Sequence, residues 1–231
     1  ALEEELGKQL LIRGTKGSRK VLLTDEGMIL RKRAEEILTL VQKAKSEVQM
    51  TDASIAGDVY IGAGETDIIR YFARAAKRMK KSCPDIRYHI SSGNAQFVTE
   101  QLDKGLIDFG LMYGPVDRTK YEALTLPIGD RFGVLMRRDD PLAQKEWISP
   151  EELRDKPLIL SAQDRSEGWT VSSQIRQDVS HLNVAATYNL IFNASLMVEE
   201  GLGYAVCLDK LINTSGDSQL CFLPLRPELV I

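Results

Sequence analysis

The sequence predicts an α/β protein of two similar lobes, preceded by a long helix and a small basic helix–hairpin unit. Three patterns carry that reading. Strand-like and helix-like segments alternate beyond about residue 55, a heptad seam runs through the segment before them, and helices close on glycine in the same way at Gly105 and Gly201.

Taken in order, Ala1–Gly7 reads as the tail of a helix stopped by Gly7. Gly14-Thr15-Lys16-Gly17-Ser18 is turn chemistry between two β-prone runs, the second being Val21-Leu22-Leu23. From Leu6 to Thr24 there are five basic residues and no acidic one, so the hairpin tip is locally positive although the chain as a whole carries a net charge of -3. Thr24 is a plausible N-cap for a long helix over residues 25–51, with Asp25 and Glu26 well placed in its first turn. Leu30, Ala34, Ile37, Val41, Ala44 and Val48 follow a 4-3-4-3-4 spacing, the seam of a coiled coil. A helix packed on its own domain is the rival reading. The seam is narrower than a core-facing stripe, however, and charged residues cover the remaining faces, which favours a dimerising helix.

Beyond Ser54 the period changes. Gly57–Gly62 is strand-like, and Thr66–Lys81 helical with Ile68, Ile69, Phe72, Ala76 and Met79 on one face. Ile86–Ser91 alternates as a strand, Ala95–Lys104 is a helix stopped by Gly105, and Ile107–Tyr113 is a third strand. A second series follows: a strand at Phe132–Arg137, a capping signal at Ser149–Glu152 and a strand at Leu158–Leu160. It continues with a polar helix near Thr170–His181, a strand at Val184–Tyr188, a helix ending at Gly201 and a strand at Tyr204–Leu208. Leu102-Asp103-Lys104-Gly105-Leu106 and Val198-Glu199-Glu200-Gly201-Leu202 are echoes of one another. Two lobes of this design place a ligand in the cleft between them, at the carboxyl ends of the strands.

Composition narrows the function. With 231 residues, 27% charged and 43% hydrophobic, most of the chain can fold around a core. The longest uncharged apolar stretches, such as Leu158–Ala162 and Gly201–Leu208, fall far short of the roughly 20 residues of a membrane span, so no membrane partner is expected. Cys83, Cys207 and Cys221 lack metal-like spacing and read as buried thiols of a reducing compartment. Gly62-Ala63-Gly64 is followed by Asp67 where a dinucleotide fingerprint needs Gly, and there is no phosphate-binding loop and no nucleophile elbow. His89 and His181 have no ligand-spaced companions and read as structural or surface residues. Glu35-Glu36, Glu151-Glu152 and Glu199-Glu200 read as solvated helix faces. Neither catalysis, a metal nor a cofactor is expected.

Leu2-Glu3-Glu4-Glu5-Leu6-Gly7-Lys8-Gln9-Leu10-Leu11-Ile12-Arg13, followed by Val21-Leu22-Leu23-Thr24-Asp25-Glu26-Gly27, resembles the end of the DNA-binding domain of LysR-type transcriptional regulators. Gly57–Gly62, the Pro84 turn, Gly93-Asn94, Leu102–Gly105 and Ile107-Asp108-Phe109 resemble the first lobe of that family's effector domain. Asp139-Asp140-Pro141-Leu142 and Gly201-Leu202-Gly203 resemble the second.

The resemblance implies two Rossmann-like lobes of a periplasmic-binding-protein-like effector domain, preceded by a long linker helix and a partial winged helix-turn-helix. Residues 1–24 would be the end of the recognition helix and the wing, 25–54 the linker and dimerisation helix, and 55–231 the effector domain. Lobe I would span about 55–127 and 223–231, with lobe II about 128–222 and Leu223-Pro224-Leu225 as the return crossover. The chain, which lacks an initiator Met, would be cut at both ends, without the base-reading part of the recognition helix. Arg13, Lys16, Arg19 and Lys20 would contact phosphates or the minor groove, positioning rather than specifying. The expected setting is a cytoplasmic dimer or tetramer on promoter DNA, with a small-molecule effector in the cleft.

Effector contacts would come from Glu65, Thr66, Asn94, Gln96, Tyr113, Ser161 and Asn193. Capping competes as a role for Thr66 and Asn94. Helix N-termini favour anions, so Glu65 is the odd member; it is either a local cap or a partner for a ligand with donors or positive charge. The alternative is a solute-binding protein of the periplasmic type, whose lobes look alike but which lacks the basic hairpin and heptad helix and carries an export signal.

Overall fold

A computed structural model describes residues 2–13, 21–49, 55–113, 116–162 and 182–230. The expected contacts Lys16, Arg19 and Lys20, the side chain of Arg13 and the expected helix near Thr170–His181 lie outside the described residues.

α1 (Leu2–Leu6) ends at Gly7, whose φ of +61° is the left-handed turn that glycine adopts at least cost. β1 (Leu11–Arg13) and β2 (Val21–Leu23) pair antiparallel with Leu11 opposite Leu23. The Glu3 carboxylate accepts from the backbone N–H groups of Leu10 (2.7 Å) and Leu11 (3.0 Å), tying helix to hairpin.

α2 (Asp25–Gln49) begins as its sequence predicts. The Thr24 hydroxyl accepts from Gly27 N–H at 3.0 Å and donates to the Gln9 carbonyl at 2.7 Å, so one side chain caps the helix and fastens it to the hairpin. Gly27 is there for space: a Cβ would lie 2.1 Å from the Leu10 carbonyl oxygen. Gly27→Ala is therefore expected to cost about 1–3 kcal/mol by forcing these segments apart. Hydrogen exchange reads this directly at Thr24, whose N–H donates to that same carbonyl at 3.0 Å; undiminished protection there would refute it.

Lobe I is a three-stranded parallel sheet of order β4-β3-β5, from β3 (Gly57–Ala63), β4 (Ile86–Ser92) and β5 (Phe109–Leu111). α3 (Ile69–Met79) and α4 (Ala95–Asp103) are its helices. Two expectations are corrected here. α3 begins at Ile69 rather than Thr66, because the Thr66 hydroxyl accepts from Ile68 N–H at 3.0 Å and holds a turn before the helix. β5 is shorter than Ile107–Tyr113, and on β4 Ile90 is 51% exposed, since an edge strand offers its outer residues no cover.

Lobe II is a mixed five-stranded sheet of order β10-β6-β9-β7-β8. Its strands are β6 (Phe132–Arg137), β7 (Leu158–Ser161), β8 (Val184–Tyr188), β9 (Tyr204–Leu208) and β10 (Leu220–Pro224). β10, antiparallel to β6, takes in Leu223 and Pro224. The signal at Ser149–Glu152 yields a 3₁₀ turn, Pro150–Leu153, with the Glu152 carboxylate accepting from Ser149 N–H at 3.0 Å.

Burial alternates with period two, as a sheet covered on both faces requires. Val134, Met136, Leu158, Leu160 and Val206 join Ile148, Leu153, Leu225 and Leu229 on one face. Leu135, Ile159, Ala205 and Cys207 face α5 (Ile191–Glu199) through Ile191, Ala194 and Val198 on the other. The two glycine echoes are structurally identical caps. Gly105 (φ +67°) and Gly201 (φ +81°) donate to the carbonyls of Leu102 and Val198, and Leu106 and Leu202 to those of Gln101 and Met197. No helix among the described residues is long and apolar enough to cross a membrane.

Candidate functional site: the interlobe cleft

Parallel pairing brings the carboxyl ends of β3, β4 and β5 to one edge of lobe I. Gly93 N–H donates to the Ala63 carbonyl at 3.0 Å and Gly64 N–H to that of Leu111 at 3.2 Å, so the loops leaving the strands are stitched together. Glu65, Thr66, Asn94, Gln96 and Tyr113 lie on or just beyond this edge. In lobe II, Ser161 ends β7 opposite Tyr188 of the parallel strand β8, and Asn193 sits exposed in the first turn of the helix that follows.

The individual roles differ from one another. Asn94 caps α4, accepting from Phe97 N–H at 2.8 Å, which is the competing role expected for it. Gln96 is exposed and reaches Glu100 at 3.3 Å along its own helix. Thr66 is 5% exposed and donates its hydroxyl to Asp130, which is 7% exposed on the crossover between lobes. Burial pushes the Asp130 carboxyl above its ordinary range, and the Thr66 hydrogen bond opposes that shift. Tyr113 lies over Gly64, its hydroxyl 3.3 Å from where a Cβ would stand. Thr66 and Tyr113 also border a groove of about 1180 Å³ beneath residues 116–128 along β5; Asn94, Gln96, Ser161 and Asn193 do not.

Glu65 is not a local cap. Its carboxylate crosses the cleft and accepts from the Ile191 N–H at 2.5 Å, at the N-terminus of α5 in lobe II. Next in sequence, Asp67 lies 4.0 Å from Lys210 of lobe II, while the Arg70 guanidinium beside it holds its carboxyl below the usual range. Asp67, Asp130 and Lys210 were not among the expected contacts. Only Asp67 had a local signal, the polar run Glu65-Thr66-Asp67 directly after an apolar strand and two glycines.

A second junction joins lobe I to α2. The Lys43 ammonium, 11% exposed, donates to Asp108 at 2.6 Å and to the Gly105 carbonyl at 3.0 Å, and lies 5.1 Å above the Tyr60 ring. The second Asp108 oxygen accepts from Tyr60 N–H at 2.7 Å. Glu36 corrects its reading as a solvated residue, since it takes Lys104 at 3.0 Å and Arg33 at 2.7 Å. Glu152 likewise pairs with Lys145. His89 is a surface residue that also serves the structure, since it bonds Asp58 at 2.7 Å and stacks on Tyr60 at 4.7 Å. Arg87, then His89, bring the Asp58 carboxyl down to about 2.

Against this geometry, residues 52–230 match the family described as the LysR substrate binding domain. The chain belongs to the LysR family. Two relatives are described as uncharacterized HTH-type transcriptional regulators, YvbU of Bacillus subtilis and YfeR of Shigella flexneri. YvbU is 26% identical over 206 residues, covering 89% of this chain and 68% of its own length. YfeR is 28% identical over 207 residues, covering 89% of this chain and 65% of its own. The chain thus spans about two thirds of these relatives. HinK, a LysR family transcriptional regulator from Pseudomonas aeruginosa, is 21% identical with a TM-score of 0.61, covering all of this chain and 76% of HinK, which establishes the shared fold. The α/β reading with two periplasmic-binding-protein-like lobes is the fold of this LysR family member.

Proposed function

We propose that this chain is the wing, linker helix and sensor domain of a DNA-binding transcriptional regulator, self-associating through α2 and taking a small-molecule effector in the interlobe cleft. The observation that carries the reading is the convergence of strand ends and the α5 N-terminus across one cleft, in a chain whose relatives are described as transcriptional regulators. Effector binding biases the lobe arrangement, and the Lys43–Asp108 and Glu36–Lys104 contacts pass that bias to α2. The effector touches Ser161 and Asn193 from lobe II and Tyr113 from lobe I. Arg13, Lys16, Arg19 and Lys20 serve DNA phosphates from the wing.

A thermal-shift screen of the 231-residue chain against small metabolites tests the sensor role, because a ligand that binds only the folded state raises its melting temperature. The expected result is a saturable hit that weakens at least tenfold in Asn193→Ala or Ser161→Ala, about 1.4 kcal/mol of lost contact. Hits insensitive to both substitutions would move the effector out of the cleft.

A further inference from the structure

α5 starts without a cap of its own. The residue at its N-cap position is Leu190, which has no side-chain acceptor, and the first helical residue, Ile191, is 2% exposed. A first-turn N–H buried to this degree needs a partner, because solvent cannot supply one. That partner is the Glu65 carboxylate, 126 residues away in sequence and in the other lobe. It is also anionic, the charge that a helix N-terminus favours. The neighbours of Glu65 repeat the pattern, with Thr66 bonded to Asp130 of the crossover and Asp67 beside Lys210 of lobe II. Three consecutive residues of one lobe I loop therefore grip the crossover or the opposite lobe.

We infer that Glu65 is a built-in ligand of the cleft: a tethered carboxylate that occupies the α5 N-terminus and holds the lobes together in the effector-free chain. An effector bearing a carboxylate or another small oxyanion enters by displacing Glu65 from Ile191 N–H, so its arrival releases a clasp. This rests on the reading of the cleft as the effector site for its regulatory meaning, while the clasp itself is testable without any effector.

The test is chemical rescue in the full chain, with sodium acetate as the probe and sodium chloride as the control. Glu65→Ala removes the acceptor, which lowers the melting temperature by roughly 2–4 °C and speeds hydrogen exchange at Ile191. Acetate restores most of both losses in the variant and gives the wild type no more than chloride does. Glu65→Gln keeps a neutral acceptor in the same place and falls between the two; it carries the test if the alanine variant does not fold. Unchanged exchange at Ile191 in the variants, or equal acetate effects on variant and wild type, would overturn the clasp. Rescue by acetate alongside a metabolite screen that finds nothing in the cleft would keep the clasp and sink the sensor reading instead.

Discussion

Glutamate at Ile37 and Val41 together is expected to abolish the self-association proposed for α2, read in sedimentation velocity as a purely monomeric boundary beside a heavier wild-type one. Ile37 is 59% exposed, Val41 44% and Val48 85%, so this stretch of the heptad seam is left uncovered by its own chain among the described residues. It cannot turn inward to find one. Glu36 and Lys43 occupy another face of α2 and are held by Lys104, Asp108 and the Gly105 carbonyl, which fixes the helix about its axis. Burying each apolar side chain in a partner helix contributes roughly 1.5–3 kcal/mol. Two sites in each of two copies thus remove most of the association energy, and four desolvated carboxylates would oppose what is left. Far-UV circular dichroism should show the helix retained. A variant that remains dimeric would take α2 out of the interface.

Ile159→Ala has the largest expected effect on stability, about 2–5 kcal/mol, because it leaves a cavity that a close-packed sheet–helix interface closes only in part. Ile159 is fully buried on β7 and packs with Ile191, Ala194 and Val198 of α5 on the face opposite Leu158 and Leu160. Urea denaturation would show a lower midpoint with little change in slope. Since Ile191 is both a packing partner of Ile159 and the residue whose N–H meets Glu65, the same variant should speed exchange at Ile191. A loss below about 1 kcal/mol would mean that this face is less tightly packed than its burial indicates.

What could be read from the sequence follows the range of the forces involved. The Thr24 cap, the glycine-closed ends of α4 and α5 and the strand at Leu158–Leu160 are local. Each rests on residues within one turn or a few strand positions, and each appears in the structure. The edge of lobe I was legible through the family resemblance, which put Glu65, Asn94 and Tyr113 in loops after strands or at helix N-termini. The partner of Glu65 was not, because its acceptor role depends on a backbone N–H 126 residues away. Asp108 and Lys43 stand 65 residues apart and were hidden for the same reason. The delayed start of α3 has a related origin: helical periodicity from Ile68 to Met79 is real, but Thr66 answers to a buried aspartate on the crossover rather than to its own helix. Ile90 shows the converse, a correct strand pattern on an edge that leaves one of its apolar residues uncovered.

β3 touches both junctions. Tyr60 N–H is pinned to Asp108, which also holds Lys43 of α2, and Glu65 emerges just past the carboxyl end of the strand. The five residue steps from Tyr60 to Glu65 span roughly 17 Å of extended chain. Mechanically this is a short stiff rod with the linker helix bolted near its middle and the cleft at its tip. A displacement of the tip must then flex the rod, tilt the sheet paired with it, or wrench the Lys43–Asp108 bolt.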